Sequence, residues 1–159
     1  MPKAIVIPSD ELNPPFEQTF EGLSQYQAAV GGFIEPIRLE KAKLTIFANE
    51  EGKLRGLPFN RRATALWWLL DPIAREVDEL VGDVIILGAP AGASERDVPA
   101  DLSNLILRPM VLRSEIRLAD RLGWHRTELR FEDYFSAAVN ALLYFRSDDA
   151  VTDIRVVVE

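Results

Sequence analysis

NEEGKLRGLPFNRRATALWW, residues 49–68, decides where sheet gives way to helix in this chain. Glu51-Gly52 reads as a tight turn, and the Gly/Pro loop after it cannot continue a strand. Asn60 is a good N-cap residue, because its side-chain oxygen can accept from the exposed amides of a first helical turn. The apolar stripe Ala63, Leu66, Trp67 and Leu70 then recurs at helical spacing, which predicts a helix over 60–70. Trp68 and Leu69 point away from that stripe, so the helix is apolar nearly all round. Its first turn carries Arg61 and Arg62, the wrong sign for the positive end of a helix dipole.

Working outward, residues 33–39 and 44–49 read as strands joined by a short charged link. Residues 3–7 form a short apolar strand ended by Pro8. The stretch 16–21 fits either a helix face or an edge strand. Residues 23–30 read as helix, stopped at Gly31-Gly32 where left-handed backbone is cheap. Asp71-Pro72 reads as a new helix start with Pro at its first position, running to about Leu80. An apolar strand follows at 83–87. The order β-α-β-β-α-β matches a ferredoxin-like, split-βαβ half. Residues 89–101 mix Ala, Gly, Pro and charge and read as an irregular link. After a short helix at 101–107, two alternating segments, 110–118 and 124–131, form a hairpin. A helix over 132–146 has its acids at the start and Arg146 at the end, and 151–158 is a last strand. The fold expected is therefore α+β: a ferredoxin-like half at 1–88, a link at 89–101, and a ββαβ half at 102–159 packed on the first as one compact unit.

Residues 29–35 (AVGGFIE), 49–64 (NEEGKLRGLPFNRRAT) and 81–88 (VGDVIILG) resemble a domain-of-unknown-function family common in bacteriophages and mobile elements of actinobacteria. The resemblance covers residues of about 4 to 90. It implies a phage or mobile-element setting in the host cytoplasm, and no reaction.

The 159 residues are 48% hydrophobic and 27% charged, enough for a sizeable core. Net charge is -7, which argues against broad non-specific nucleic-acid binding. Cysteine is absent, which excludes disulfides and thiolate metal sites. No apolar run reaches the length of a membrane span. The short apolar run at the start, bounded by Pro2 and Pro8, is not that of a signal peptide, so a cytoplasmic location is expected.

Lys53, Arg55, Asn60, Arg61 and Arg62 are the candidate anion site, since a helix N-terminus with added cations suits a phosphate or carboxylate. The plainer reading is that Asn60 only caps and the cations are solvated or paired. Trp67 and Trp68 are candidate anchors for a protein partner, or core residues of two packed halves. Arg113, Glu115 and Arg117 share one face of the first hairpin strand. In the register that sets Leu118 against Gly123, Glu115 faces Arg126, Arg113 faces Glu128 and Arg117 faces Trp124, a charge-paired surface. His125, the one histidine, is read as a half-buried strand residue; no Ser sits on a nucleophile elbow. No cofactor and no metal are expected. The function expected is a non-catalytic accessory protein that binds a host or phage macromolecule and blocks a host system, with a homo-oligomer compatible with that role. The alternative is a binder of a small anionic ligand such as a nucleotide, and the third is a small hydrolase or nuclease.

Overall fold

Residues 44–49 are buried in an unbroken run and Gly52 N donates to Asn49 O, so the hairpin end is where the architecture is set. The computed structural model describes all 159 residues. Its elements in chain order are β1 (Lys3–Ile7), β2 (Phe16–Thr19), α1 (Leu23–Val30), β3 (Ile34–Leu39), β4 (Leu44–Asn49), α2 (Arg61–Leu70), a 3-10 turn (Pro72–Ala74), β5 (Val84–Gly88), α3 (Ala100–Leu107), β6 (Leu112–Leu118), β7 (Trp124–Arg126), α4 (Tyr134–Ser147) and β8 (Val151–Val158). This is the α+β class read from the sequence, with two antiparallel sheets and four helices.

The larger sheet runs β2-β1-β5-β4-β3. The elements do follow β-α-β-β-α-β in chain order, with β2 added at an edge. Their pairing differs from a split βαβ unit: two strands, β5 and β4, lie between β1 and β3, and β4 pairs directly and antiparallel with β5. The cause lies in the loop–helix excursion after β4. Phe59 bridges Val81, Asn60 N donates to Leu80 O, and Gly82 N donates to Pro58 O. The chain therefore leaves and re-enters the sheet at the same end, and a strand that returns at that end must run antiparallel to the one that left.

The helix expected over 72–80 is reduced to the single turn Pro72–Ala74. Arg75 leaves helical backbone and Glu76 takes a positive φ of 60°. The Arg75 side chain supplies the reason: Nε donates to Trp68 O at 2.5 Å and Nη2 to Leu69 O at 3.1 Å, satisfying the last carbonyls of α2 and ending helix there. The ambiguous 16–21 segment is an edge strand. Of the link expected at 89–101, residues 89–99 are irregular, yet tied down, and Ala100 and Asp101 open α3. Gly88 N donates to Arg96 O, and a Cβ at position 88 would stand 2.3 Å from the Asp97 carbonyl oxygen, so only glycine admits this crossing.

Both faces of the large sheet are covered, which is why β1, β4 and β5 read as continuous apolar runs. Ala4, Val6, Phe47 and Ile85 pack under α1 with Phe20 and Tyr26. On the other face Ile5, Ile7, Ile46 and Ile86 join one core of 25 buried residues with Leu66 and Trp67 of α2, Phe135 and Ala138 of α4, and Leu112 and Ile154 of the small sheet. The small sheet, β7-β6-β8, lies against α4, and α4 against α2. Small residues allow this stacking: Ala137, Ala138 and Ala141 are fully buried, and Ser114 Oγ donates to Ala137 O at 2.7 Å.

Candidate functional site

Asn60 is the N-cap of α2, as its sequence position predicts. Its Oδ1 accepts from Ala63 N at 3.0 Å. The residue is also fully buried, and its Nδ2 donates to Ile7 O and to Gly82 O, both at 2.9 Å. One amide side chain thus holds the end of β1, the approach to β5 and the start of α2 together.

The two arginines beside it part company. Arg62 is buried, and its Nη2 donates to Pro8 O (2.6 Å), Asn13 O (2.8 Å) and Asp10 O (3.2 Å). It clamps the loop between β1 and β2, with its guanidinium 6.0 Å from the Phe135 ring. Burial holds its pKa below the usual arginine value, with Glu11, Asp133 and Asp10 opposing that shift. Arg61 is surface-exposed and forks onto Glu11, with Nη2–Oε1 at 2.5 Å and Nε contacts of 3.1 and 3.2 Å. That hydrogen bond lowers the Glu11 pKa and raises that of Arg61. Lys53 pairs with Asp78, whose pKa it lowers. Arg55 Nη1 donates to Gly31 O at 2.8 Å, capping the end of α1. The five residues read as one anion site are therefore engaged in five separate internal contacts and do not converge on a shared point.

The tryptophans also divide. Trp67 belongs to the core and its Nε1 donates to Asp71 Oδ2 at 3.2 Å. Trp68 is half-exposed; its Nε1 donates to Asp78 O at 2.7 Å, and its ring lines a groove between α2 and α4. This groove has a volume of about 400 Å³ and an apolar lining from Phe59, Ala65, Trp68, Leu142, Leu143 and Phe145. Phe59 and Leu143 are 49% and 55% exposed, large apolar groups in water without a cover. The rim is charged: Arg146 pairs with Glu76 at 3.2 Å, and the Arg75 guanidinium lies 4.5 Å from the Phe145 ring centre. Burial lowers the Arg75 pKa, against the pull of Asp153 and Asp71. Sequence reading found one wall of this groove through Trp68. It missed the other, formed by Leu142, Leu143 and Phe145 of α4, because only the crossing of α2 and α4 makes them a surface.

On the small sheet two of the three expected facing pairs are made, Glu115 opposite Arg126 and Arg117 opposite Trp124, while Arg113 pairs with Glu159 in place of the expected Glu128. Glu115 is buried and bridges Arg126 and Arg155. Arg117 and Arg155 both lie over the Trp124 ring, at 4.6 and 4.2 Å. Strand β7 stops sooner than expected, since Arg113 Nη1 takes the carbonyls of Thr127 and Glu128. His125 pairs with Ile116 in the ladder, and its side-chain Nε2 is buried without a hydrogen-bond partner. No group of three or more His, Asp or Glu side chains is placed to hold a metal ion. No helix is long and apolar enough to cross a membrane.

The chain belongs to a family defined by a domain of unknown function, DUF3846, whose model matches residues 2–110. The match covers the large sheet, α2 and α3, and runs beyond the stretch of about 4 to 90 that carried the resemblance. It ends before β6, so one wall of the groove, α2, lies inside it and the other, α4, outside. No curated protein and no solved structure matches the chain.

Proposed function

We propose that this DUF3846 chain is a non-catalytic binding protein whose partner is another protein, held in the groove between α2 and α4. The observation that carries this reading is the uncovered apolar lining, with Phe59, Trp68, Leu143 and Phe145 presented together between two helices. Contiguous exposed apolar surface rimmed by charge is typical of docking sites, and a groove between helices suits the apolar face of an amphipathic helix. The basic turn supports the reading by contrast, since each of its cations already has an internal partner. In this reading the protein is a phage or mobile-element accessory factor that acts in the host cytoplasm by occupying a host or phage macromolecule and blocking it. That provenance rests on the resemblance of residues 29–35, 49–64 and 81–88.

The test compares capture by three tagged forms from the same host lysate. The wild type and Lys53→Ala should retain a common protein, and Leu143→Asp should lose it while melting at the wild-type temperature. Loss with Lys53→Ala and retention with Leu143→Asp would move the site to the basic turn and overturn the groove reading.

A further inference from the structure

A tyrosine hydroxyl buried in a fold usually finds a hydrogen-bond partner. Tyr134, the first residue of α4, does not. It is 3% exposed, and its ring stands edge-on to Phe135 at 5.5 Å. Its hydroxyl bonds to nothing in the chain, and burial is the one influence on its titration. That burial pushes the pKa well above the usual tyrosine value, so the group carries a proton to donate at any ordinary pH. The oxygen is still not sealed in. Tyr134 borders a cavity of about 340 Å³, and the hydroxyl opens there.

The cavity lies between the end of α2, helix α3 and strand β8. Leu69 and Leu70 of α2 face it, whereas Thr64, Ala65 and Trp68 face the groove toward α4, so the two spaces are separate. Its walls are apolar: Leu44, Leu69, Leu102, Leu105 and Ile154. All but Leu105 are themselves buried, so the space is recessed and suits a small molecule, not the face of a protein. Two charged residues touch it, Asp101 and Arg155. Arg155 is already held: Nε and Nη2 donate to Glu115 Oε1 at 2.9 and 2.7 Å, and its guanidinium lies over Trp124. Asp101 sits in the exposed first turn of α3. The interior therefore offers no counter-charge to an ion leaving water.

Helix α3 is the loosest wall. Its N-cap, Pro99, has no capping side chain, and its terminal bonds, Ser103 N to Pro99 O and Arg108 N to Asn104 O, are its own. Leu102 is its one buried residue; Leu105, Ile106 and Leu107 are half-buried against the core. It is held by apolar contact alone, and a molecule beneath it would extend that contact.

We propose that this cavity binds a small uncharged molecule with an apolar body and one carbonyl oxygen, which accepts from the Tyr134 hydroxyl while α3 covers the apolar part. The site is independent of the protein partner assigned to the groove.

Titrating the full chain with acetylnaphthalene, ethylnaphthalene and naphthoate, three probes of similar shape, tests this. The acetyl probe should bind about ten-fold more tightly than the ethyl probe, the effect of one neutral hydrogen bond, and naphthoate should bind least. Tyr134→Phe deletes a hydroxyl that holds nothing in the protein. It should melt as the wild type does, keep its affinity for the ethyl probe and lose the preference for the acetyl probe. Leu105→Trp, which fills the cavity from its half-buried wall, should lose both probes, and Leu143→Asp in the groove should lose neither. With the acetyl probe bound, the amides of residues 103–107 should exchange more slowly. The proposal is overturned if no probe binds, if naphthoate binds best, or if the preference survives Tyr134→Phe. It is equally overturned if Leu143→Asp abolishes binding, which would put the probe in the groove. Should Tyr134→Phe fail to fold, the ranking of the probes together with Leu105→Trp decides the matter.

Discussion

The two sides of α2 carry opposite kinds of misfit. At its N-terminus stand polar groups that look out of place along the chain and prove to be held by internal partners in three dimensions, with the Arg62 Nε alone left unpaired. Along its flank, against α4, stand apolar groups that look ordinary along the chain and prove to have no cover. The difference shows where each kind of anomaly can be read. A cation at the positive end of a helix dipole is a local conflict, and local conflicts are visible in sequence. Its resolution, three carbonyls from the loop at Pro8–Asn13, lies about fifty residues away. An exposed apolar groove involves no local conflict at all, since it arises only from how two helices cross.

The sharpest way to break the comparison is at Asn60. If the N-terminal end is a structural hub, Asn60→Ala must cost far more than a cap. The cap alone is worth about 1 kcal/mol. Losing it would also strip Ile7 O and Gly82 O of their buried donor, at about 1–3 kcal/mol for each unsatisfied group. The total expected is about 3–7 kcal/mol by urea denaturation, with Asn60→Asp nearly as harmful because it keeps the cap and loses both donations. A loss of only about 1 kcal/mol would leave Asn60 as a plain cap.

Arg62 comes next. By the dipole argument alone, removing Arg61 and Arg62 together leaves the protein equally or slightly more stable. The clamp on Pro8, Asp10 and Asn13 reverses that expectation. Arg62→Ala should lose about 1.5–3 kcal/mol, the range for hydrogen bonds to a charged group. Arg62→Lys should not rescue it, because a lysine has neither the planar fork nor the reach. Faster amide exchange confined to residues 8–14 would show the loop released. Unchanged stability would return Arg62 to the list of free cations.

Much of the fold was legible because its signals are local. Periodicity placed β1, β4, α2, α4 and β8, and the Asn60 cap was read correctly. The register that sets Leu118 against Gly123 placed Glu115 opposite Arg126, as observed. Strand order was not legible, since it depends on the Phe59–Val81 bridge, which returns the chain to the end it left. The lost helix at 75–80 was hidden for a related reason: Arg75 prefers the carbonyls of Trp68 and Leu69 to a place in a helix. Of the candidate site residues, Trp67 lies in the core and Trp68 lines the groove between α2 and α4. Lys53, Arg55, Arg61 and Arg62 were grouped by sequence proximity, while their partners, Asp78, Gly31, Glu11 and the Pro8 loop, are remote in the chain.

The smallest effect belongs to Arg61, and its dependence on pH sharpens the contrast with Arg62. Arg61 and Glu11 are each nearly half exposed, with side chains at 45% and 46%. Solvent screening limits such a pair to about 0.2–1 kcal/mol. The hydrogen bond from Arg61, helped by the charges of Arg61 and Arg62, holds the Glu11 pKa below its ordinary value of 4.5. A carboxylate whose pKa is depressed by folding stabilises the folded state above its unfolded value, and that contribution is lost as pH falls through the lower, folded value. The stability gap between wild type and Arg61→Ala should therefore be full at neutral pH, shrink below about pH 4.5, and vanish in stronger acid. It should also shrink with added salt. Asp78 titrates in the same acid range through Lys53, but it is untouched in Arg61→Ala and so cancels from the difference. Arg62→Ala should behave otherwise. Its partners are carbonyls, which do not titrate, so most of its deficit should persist at low pH and high salt. Two arginines adjacent in sequence would then be separated by a pH series alone. If both deficits faded together in acid, Arg62 would be held by Glu11 and not by the loop.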